Sequence, residues 1–249
     1  MELSGSVAVV TGGGAGLGRA VAVELAKNGA AVAINYRQSE QEADETADLV
    51  RKVGGTARTY RADVADWEAV ATMVRKVEAE IGPVGSLINN AGLTLYAREP
   101  TEISRADWDR ILAVNLSGAF GCIRAVLPFM RRRGDGCIVN VASIAGMTGQ
   151  GSSLPYVLSK ASLLTMTRAL ARDVRPIRIN AIAPGFMPTN WFDRYYPAEA
   201  RPTGSEMTPL TNVVDGILTL IRNDALNGAV LVIDKGQSLR TGFPAQTYV

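Results

Sequence analysis

Val7-Ala8-Val9-Val10-Thr11-Gly12-Gly13-Gly14-Ala15-Gly16-Leu17-Gly18 is the stretch that decides the fold. Four apolar residues read as a buried strand, the glycines as a tight turn, and the periodic run through about Asn28 as a helix. Glycines let the backbone turn sharply and approach a pyrophosphate closely, while the helix N-terminus offers free N–H groups and a positive dipole. The spacing is T-G-x-x-x-G-x-G rather than G-x-G-x-x-G, because position 19 is Arg. Alone the loop could be a mere turn; between a strand and a helix it reads as a nucleotide-binding turn.

Outward from it, strand-length apolar runs alternate with longer amphipathic ones. Gly29 stops the first helix, and Ala31–Tyr36 reads as a second strand. A helix over 39–53 ends at Gly54-Gly55, and Thr56–Arg61 is a third strand. Asp66 caps a helix running to about Ile81. Ser86–Asn89 is a short fourth strand, followed by a long helix from about Asp107 to Arg132. Cys137–Ala142, Ile177–Ala183 and Ala229–Ile233 complete seven strands, with helices over 156–173 and 212–223. Val/Ile/Ala strands buried on both faces fit a mostly parallel sheet with helices on both sides. The expectation is α/β: a single doubly wound, Rossmann-like domain over 1–249. Residues 186–211 are rich in Pro and aromatics without a clear period, which marks a functional loop, here a substrate lid.

The composition excludes several function classes. A net charge of +2 gives no electrostatic case for nucleic acid or an anionic membrane. Arg131-Arg132-Arg133 at the end of a helical pattern suits the negative end of the helix dipole. No apolar run approaches the ~20 residues of a membrane span. Two cysteines, Cys122 and Cys137, form neither a C-x-x-C nor a disulfide framework, so the expected setting is reduced and cytoplasmic. With no histidine and no cysteine cluster, neither a metal site nor a Ser-His-Asp triad is expected.

Acid–base chemistry must then come from other groups. Tyr156 and Lys160 stand one helical turn apart on one face. A phenol titrates near pH ~10, and a nearby ammonium is expected to lower that, so the pair could pass a proton. A Y-x-x-x-K is short enough to arise by chance; an ordinary helix-surface pair is the other reading. Ser143, at the end of strand five, could hydrogen-bond a substrate carbonyl. Asn115, mid-helix where Asn has poor propensity, could hold a water or bend the helix. Asp63-Val64 follows strand three: the acid could accept from an adenine amino group or only begin a turn. Asn89-Asn90-Ala91-Gly92 follows strand four, on the ligand side of the sheet or as an Asx turn. Pro184-Gly185-Phe186-Met187-Pro188-Thr189 follows strand six, and Thr189 could bond a nicotinamide carboxamide. No acid closes strand two to hold a ribose hydroxyl; Arg37 offers a planar cation for a 2′-phosphate, which favours NADP(H) over NAD(H).

Together these motifs, T-G-x-x-x-G-x-G at 11–18, N-N-A-G at 89–92, Y-x-x-x-K at 156–160 and P-G-x-x-x-T at 184–189, resemble the classical short-chain dehydrogenase/reductase family over nearly the whole chain. Ala33-Ile34-Asn35-Tyr36-Arg37 is similar to 3-oxoacyl-carrier-protein reductases. The resemblance implies an NAD(P)-dependent oxidoreductase acting between a ketone and an alcohol. Tyr156 would be general acid and base, Lys160 would bind the nicotinamide ribose and depress the Tyr156 pKa, Ser143 would polarise the carbonyl, and Asn115 would hold a relay water. The implied cofactor contacts are Gly12, Gly14, Ala15, Gly16, Leu17, Gly18, Tyr36, Arg37, Asp63, Val64, Asn89, Ala91, Gly92, Tyr156, Lys160, Pro184, Gly185 and Thr189. A homo-tetramer, or a dimer, is usual in that family. A non-catalytic NADP-binding scaffold and an epimerase or dehydratase using the same Tyr/Lys pair are the alternatives. The chain departs from the reductases at Thr208-Pro209-Leu210-Thr211-Asn212 and at Asp234-Lys235-Gly236. Met187, Trp191, Phe192, Tyr195 and Tyr196 in the loop suit an apolar or ring-bearing carbonyl substrate, or pack against the body.

Overall fold

The computed structural model of the chain describes residues 2–97, 99–202 and 207–240. The expected unit over 1–249 and loop over 186–211 therefore reach past the described residues at 1, 98, 203–206 and 241–249. In chain order the strands are β1 (Val7–Val10), β2 (Ala31–Tyr36), β3 (Ala57–Arg61), β4 (Val84–Asn89), β5 (Cys137–Val141), β6 (Arg178–Pro184) and β7 (Val230–Ile233). They form one sheet in the order β3-β2-β1-β4-β5-β6-β7, every neighbouring pair parallel. The order reverses between β1 and β4, and at such a reversal the loops at the strands' carboxyl ends separate into a crevice.

Parallel pairing requires a crossover between strands, and the helices supply it. These are α1 (Gly16–Lys27), α2 (Glu40–Lys52), α3 (Trp67–Glu80), α4 (Arg105–Leu112), α5 (Ala119–Arg133), α6 (Ala145–Thr148), α7 (Leu154–Asp173), α8 (Trp191–Tyr195) and α9 (Leu210–Arg222). Side chains alternate across each strand, so the sheet builds two cores. Ala8, Val10, Val139 and Ile182 pack with α1, α2 and α9 on one face. Val7, Val9, Ile138 and Ile179 pack with α3, α5 and the end of α7 on the other.

Several boundaries differ from the sequence reading, each for a local reason. β4 begins at Val84 rather than Ser86: Val84 pairs with Val7, and a register shift follows before Ala8 meets Ser86. The long helix begins at Arg105 because Ser104 caps it, its hydroxyl accepting from Asp107 N at 3.1 Å. Pro155 in the first turn lets α7 start at Leu154. Asp66 caps α3 as expected, accepting from Glu68 N and Ala69 N at 3.0 Å each. The Arg105–Arg133 helical stretch is also the correction to the expected absence of a long apolar run. By length and composition it could cross a membrane, yet half of its apolar window is buried in the fold. It is a core helix, ending in three arginines and a left-handed Gly134 at φ 73°.

The connection from β6 to α9 is not the unstructured loop its composition suggested. It carries α8 and a short turn at Ala198–Ala200. Its two ends meet: Thr208 N donates to the Phe186 carbonyl at 2.6 Å, and the Gln237 side chain accepts from Phe186 N at 3.0 Å. Gln237 also reaches the Thr208 hydroxyl at 3.5 Å. Farther out, Arg194 Nη2 lies 2.8 and 3.0 Å from the two carboxylate oxygens of Glu42 on α2.

Candidate active site

The crevice at the β1/β4 reversal is a cleft of about 1110 Å³ along the carboxyl edge of the sheet. At one end stands the glycine turn. Gly12 and Gly16 hold φ values of +60° and +54°, a region a side chain resists. At Gly18 a Cβ would lie 2.3 Å from the Gly12 carbonyl oxygen, so only glycine lets helix and turn close on each other. The cap position of α1, Ala15, offers no side-chain acceptor and the first turn holds no acid. The first N–H groups of the helix are thus left facing Gly12, Ala15, Gly16 and Leu17 on the cleft wall, as a pyrophosphate cradle requires.

Of the other expected cofactor residues, Ala91, Gly92, Pro184, Gly185 and Thr189 line the same cleft. Thr189 lies across from the turn: a Cβ on Gly16 would stand 3.6 Å from its side chain. Gly14, Gly18, Tyr36, Arg37, Asp63, Val64, Asn89 and Asn115 do not form its wall. Gly14 faces α2, where a Cβ would lie 3.1 Å from Ala43 N. Tyr36 is buried and its hydroxyl donates to Glu40 at 2.8 Å. Val64 presses on Gly118 instead.

Asn89 is a correction in a stricter sense. Its amide donates to Asn140 Oδ1 at 2.9 Å and to the Ala119 carbonyl at 3.2 Å, tying β4 to β5 and α5. Successive residues at a strand end point to opposite sides, so it is Asn90 that faces the cleft. Asn90 Nδ2 donates to the carbonyls of Thr11 and Gly12 at 2.9 and 3.1 Å, while Thr11 Oγ1 accepts from Asn90 N and Ala91 N, each at 3.0 Å. Sequence reasoning missed Thr11 and Asn90 as the brace between the two loops. It also missed buried Asn35, whose amide donates to the Tyr60 and Ala62 carbonyls at 3.3 and 3.0 Å and whose oxygen faces Gly12 N. The signal for Asn35 was a polar side chain within an apolar strand.

Asp63 begins a turn, its Oδ1 accepting from Ala65 N at 3.0 Å. Its other oxygen meets Arg110 at 2.8 Å and Arg37 at 3.6 Å. Burial works to raise this carboxyl, but the Ala65 N–H and the two guanidinium groups outweigh it and hold it below its ordinary value. Arg37 is half exposed at the end of β2.

At the other end of the cleft, β5 presents Ser143 and α7 presents Tyr156 and Lys160. The Ser143 hydroxyl accepts from Ala145 N at 3.1 Å and bonds toward the Tyr156 phenol. Lys160 is 4% exposed, its ammonium donating to the Val141 carbonyl at 2.8 Å and sitting 5.7 Å from the centre of the Tyr156 ring. The expected lowering of Tyr156 by Lys160 is not what this arrangement produces. Burial pushes the phenol above its ordinary value, and the bond to Ser143 opposes that only in part. The same burial pulls the Lys160 ammonium down to about 8. Desolvation acts on both members and is the largest cause of each shift.

Asn115 stands behind this pair. It lies in a π-helical stretch, Ala113–Gly118, that widens the helix between α4 and α5. Its oxygen accepts from Leu93 N and its amide donates to the Leu93 carbonyl, both at 2.9 Å. The amide also reaches Ser159 Oγ at 3.0 Å, and Ser159 donates to the Tyr156 carbonyl at 2.7 Å. The bend and the clamp are therefore one feature. Gly92 adjoins it: a Cβ there would lie 3.4 Å from Asn115 Oδ1 and 3.7 Å from Lys160 Nζ.

α6 rests on α7 at the level of Lys160. A Cβ on Gly146 would stand 2.5 Å from both Ala161 N and the Lys160 carbonyl carbon, with only backbone in its path. Gly146→Ala should accordingly cost about 1–3 kcal/mol of stability. Thermal unfolding would read that loss, and kcat should fall with it because the displaced backbone carries Lys160.

The residues matched by the family model for short chain dehydrogenases run from 6 to 200. A 3-oxoacyl-[acyl-carrier-protein] reductase from Staphylococcus aureus is 35% identical over 191 residues, 75% of this chain and 76% of that protein. Among solved structures, levodione reductase superposes with a TM-score of 0.86 at 31% identity, covering 96% of this chain and 99% of that one. An NAD+-bound xylitol dehydrogenase superposes with a TM-score of 0.86 at 29% identity, covering 95% and 100%. With its parallel sheet, glycine turn and Tyr/Lys helix all in the family's order, the chain belongs to the short-chain dehydrogenase/reductase family of oxidoreductases.

Proposed function

We propose that the protein is an NADP(H)-dependent carbonyl reductase or alcohol dehydrogenase with Tyr156 as its general acid and base. The observation that carries this reading is that Ser143, Tyr156 and Lys160 share one cleft with the phosphate cradle of the glycine turn. The cradle fits a dinucleotide: glycines where a Cβ would obstruct, uncapped helix N–H groups and no competing acid. Gly12, Ala15, Gly16 and Leu17 would hold its pyrophosphate, and Ala91, Gly92, Lys160, Pro184, Gly185 and Thr189 the nicotinamide riboside. The bound cofactor supplies or accepts the hydride. Everything else is done by the chain. The Ser143 hydroxyl donates to the substrate carbonyl oxygen and orients it. Tyr156 gives its proton to that oxygen in reduction and takes it back in oxidation. A positive Lys160 beneath the phenol makes the transient phenolate less costly. Asn115 and Ser159 fix the backbone that carries Tyr156.

Arg37 supports NADP over NAD. It follows β2, half exposed, with Asp63 3.6 Å away beyond β3 rather than an acid at the end of its own strand, and its charge is felt by Tyr195 on the far rim. Arg37→Asp should weaken NADPH binding about 10- to 100-fold while NADH binding moves little. Calorimetric titration with both cofactors checks this; equal losses would remove Arg37 from the 2′-phosphate. The test of the whole reading is NADPH consumption against a panel of ketones, where no turnover would favour a scaffold. All four of Asn115, Ser143, Tyr156 and Lys160 being in place argues against a scaffold, which would need none of them. The described chain works as one unit, with the β6–α9 connection as a lid. We place it in the cytoplasm as a homo-tetramer or dimer, which sedimentation resolves.

A further inference from the structure

We infer that the substrate carries a flat, uncharged ring beside its carbonyl carbon, and that Trp191 is the residue that selects it. The inference rests on Tyr156 being the proton donor, because that fixes where the carbonyl lies. The chain has five Phe, three Trp and seven Tyr. Seven of these line this one cleft. Such a concentration exceeds what a loop needs to pack down, and its arrangement is divided by task. Residues four apart share a helix face, so Trp191 and Tyr195 form one side of α8 and Phe192 and Tyr196 the other. Phe192 is 7% exposed and meets Phe186 at 5.7 Å and Tyr196 at 5.0 Å within the lid, and Tyr196 in turn meets Tyr96 of the body at 5.3 Å. Trp191 is only half-buried; its ring lies 6.1 Å from the Tyr156 ring and 4.7 Å from that of Tyr195. A carbonyl oxygen in reach of the Tyr156 hydroxyl places its next carbon atoms against that indole.

The Tyr196 phenol and the two lid arginines on this wall are engaged by the protein itself. The Tyr196 phenol bonds toward Ser152, and Ser152 shares its hydroxyl with Thr94 at 2.6 Å. Arg201 is engaged by Asp193 at 2.8 Å and by the Tyr196 carbonyl at 3.2 Å. Arg194 is engaged by Glu42. A carboxylate or phosphate binding at Arg194 or Arg201 would have to break an ion pair. A flat apolar ring meets aromatic faces and displaces only water.

The experiment compares acetophenone with an open-chain methyl ketone of the same carbon number, in the full chain with NADPH. The wild type should prefer acetophenone in kcat/KM by roughly tenfold or more. Trp191→Ala should remove most of that preference, raising KM for acetophenone far more than for the open-chain ketone, and Trp191→Phe should retain it. No preference in the wild type, or equal losses on both ketones, overturns the assignment. A second readout separates this inference from the reading beneath it. Quenching of tryptophan fluorescence by the corresponding phenyl alcohol, in wild type but not in Trp191→Phe, reports ring binding without turnover. Ring binding with no NADPH consumed would overturn the oxidoreductase reading and keep the ring slot. Turnover of open-chain ketones without ring preference would do the reverse, and neither binding nor turnover would overturn both.

Discussion

Tyr156→Phe should lower kcat for ketone reduction by roughly 100- to 10,000-fold and leave NADPH binding nearly unchanged. The substitution removes one oxygen from a ring whose packing against Trp191 at 6.1 Å it preserves. The size of the loss follows from how little else can do the task. The chain has no histidine, and neither cysteine can act in its place. Both are buried, and burial pushes the Cys122 thiol up to about 12 and that of Cys137 to about 11. Ser143 can orient the carbonyl but is too weak an acid to protonate it alone. Single-turnover reduction with NADPH already bound is the direct measurement. A variant that retains near wild-type turnover would remove Tyr156 from the reaction.

Lys160→Met should produce the second large effect, visible in two pH profiles. Wild-type kcat/KM for reduction should fall through an apparent pKa of about 8, where the buried ammonium loses its proton. The variant should be lower, by about 100-fold, and flat over the same range. Stability moves in the opposite sense. The ammonium titrates at about 8 in the fold against an ordinary value of 10.5, so between those limits the unfolded chain binds more protons than the folded one. Wild-type stability must therefore rise as pH increases from 8 to 10.5, and the cost of burying the charge is fully present below 8. That cost amounts to about 3 kcal/mol at most. The difference in unfolding free energy between wild type and Lys160→Met cancels the titrations of Tyr and Cys that both share. It should shift in favour of the wild type across that window. A difference that stays level would mean that Lys160 keeps its proton through that window, its titration unmoved by burial.

The parts of this site that could be read from the sequence are those made by neighbours in the chain. A strand, a glycine turn and a helix N-terminus follow one another within residues 7–18, so the cradle is local. Tyr156 and Lys160 share a helix face by spacing alone. What could not be read depends on register or on partners far along the chain. Asn89 and Asn90 are chemically identical, and which of them faces the cleft is set by the pairing of Asn89 with Asn140 across β4 and β5. Asn115 looked free to hold a water because its partners, Leu93 and Ser159, lie 22 and 44 residues away. The sign of the Tyr156 shift was missed because proximity to Lys160 is legible and burial is not. α6 and α8 have only 4 and 5 residues, too few to show a helical period.

The fastening of Phe186 to Thr208 has a consequence for how such enzymes diversify. A segment that leaves the sheet and returns to it at one point places no demand on the sheet in between. Lengthening it costs little, since each doubling of a loop adds only about 0.6 kcal/mol. The family match runs from residue 6 and stops at 200, inside this segment, after the Tyr/Lys pair and the dinucleotide turn have been passed. The roof of the cleft is thus joined to the body where its ends meet and, along its length, through Arg194 to Glu42 and Tyr196 to Tyr96. A change of length or composition there alters the roof while the strands, the glycine turn and the Tyr/Lys helix on the floor keep their pairing.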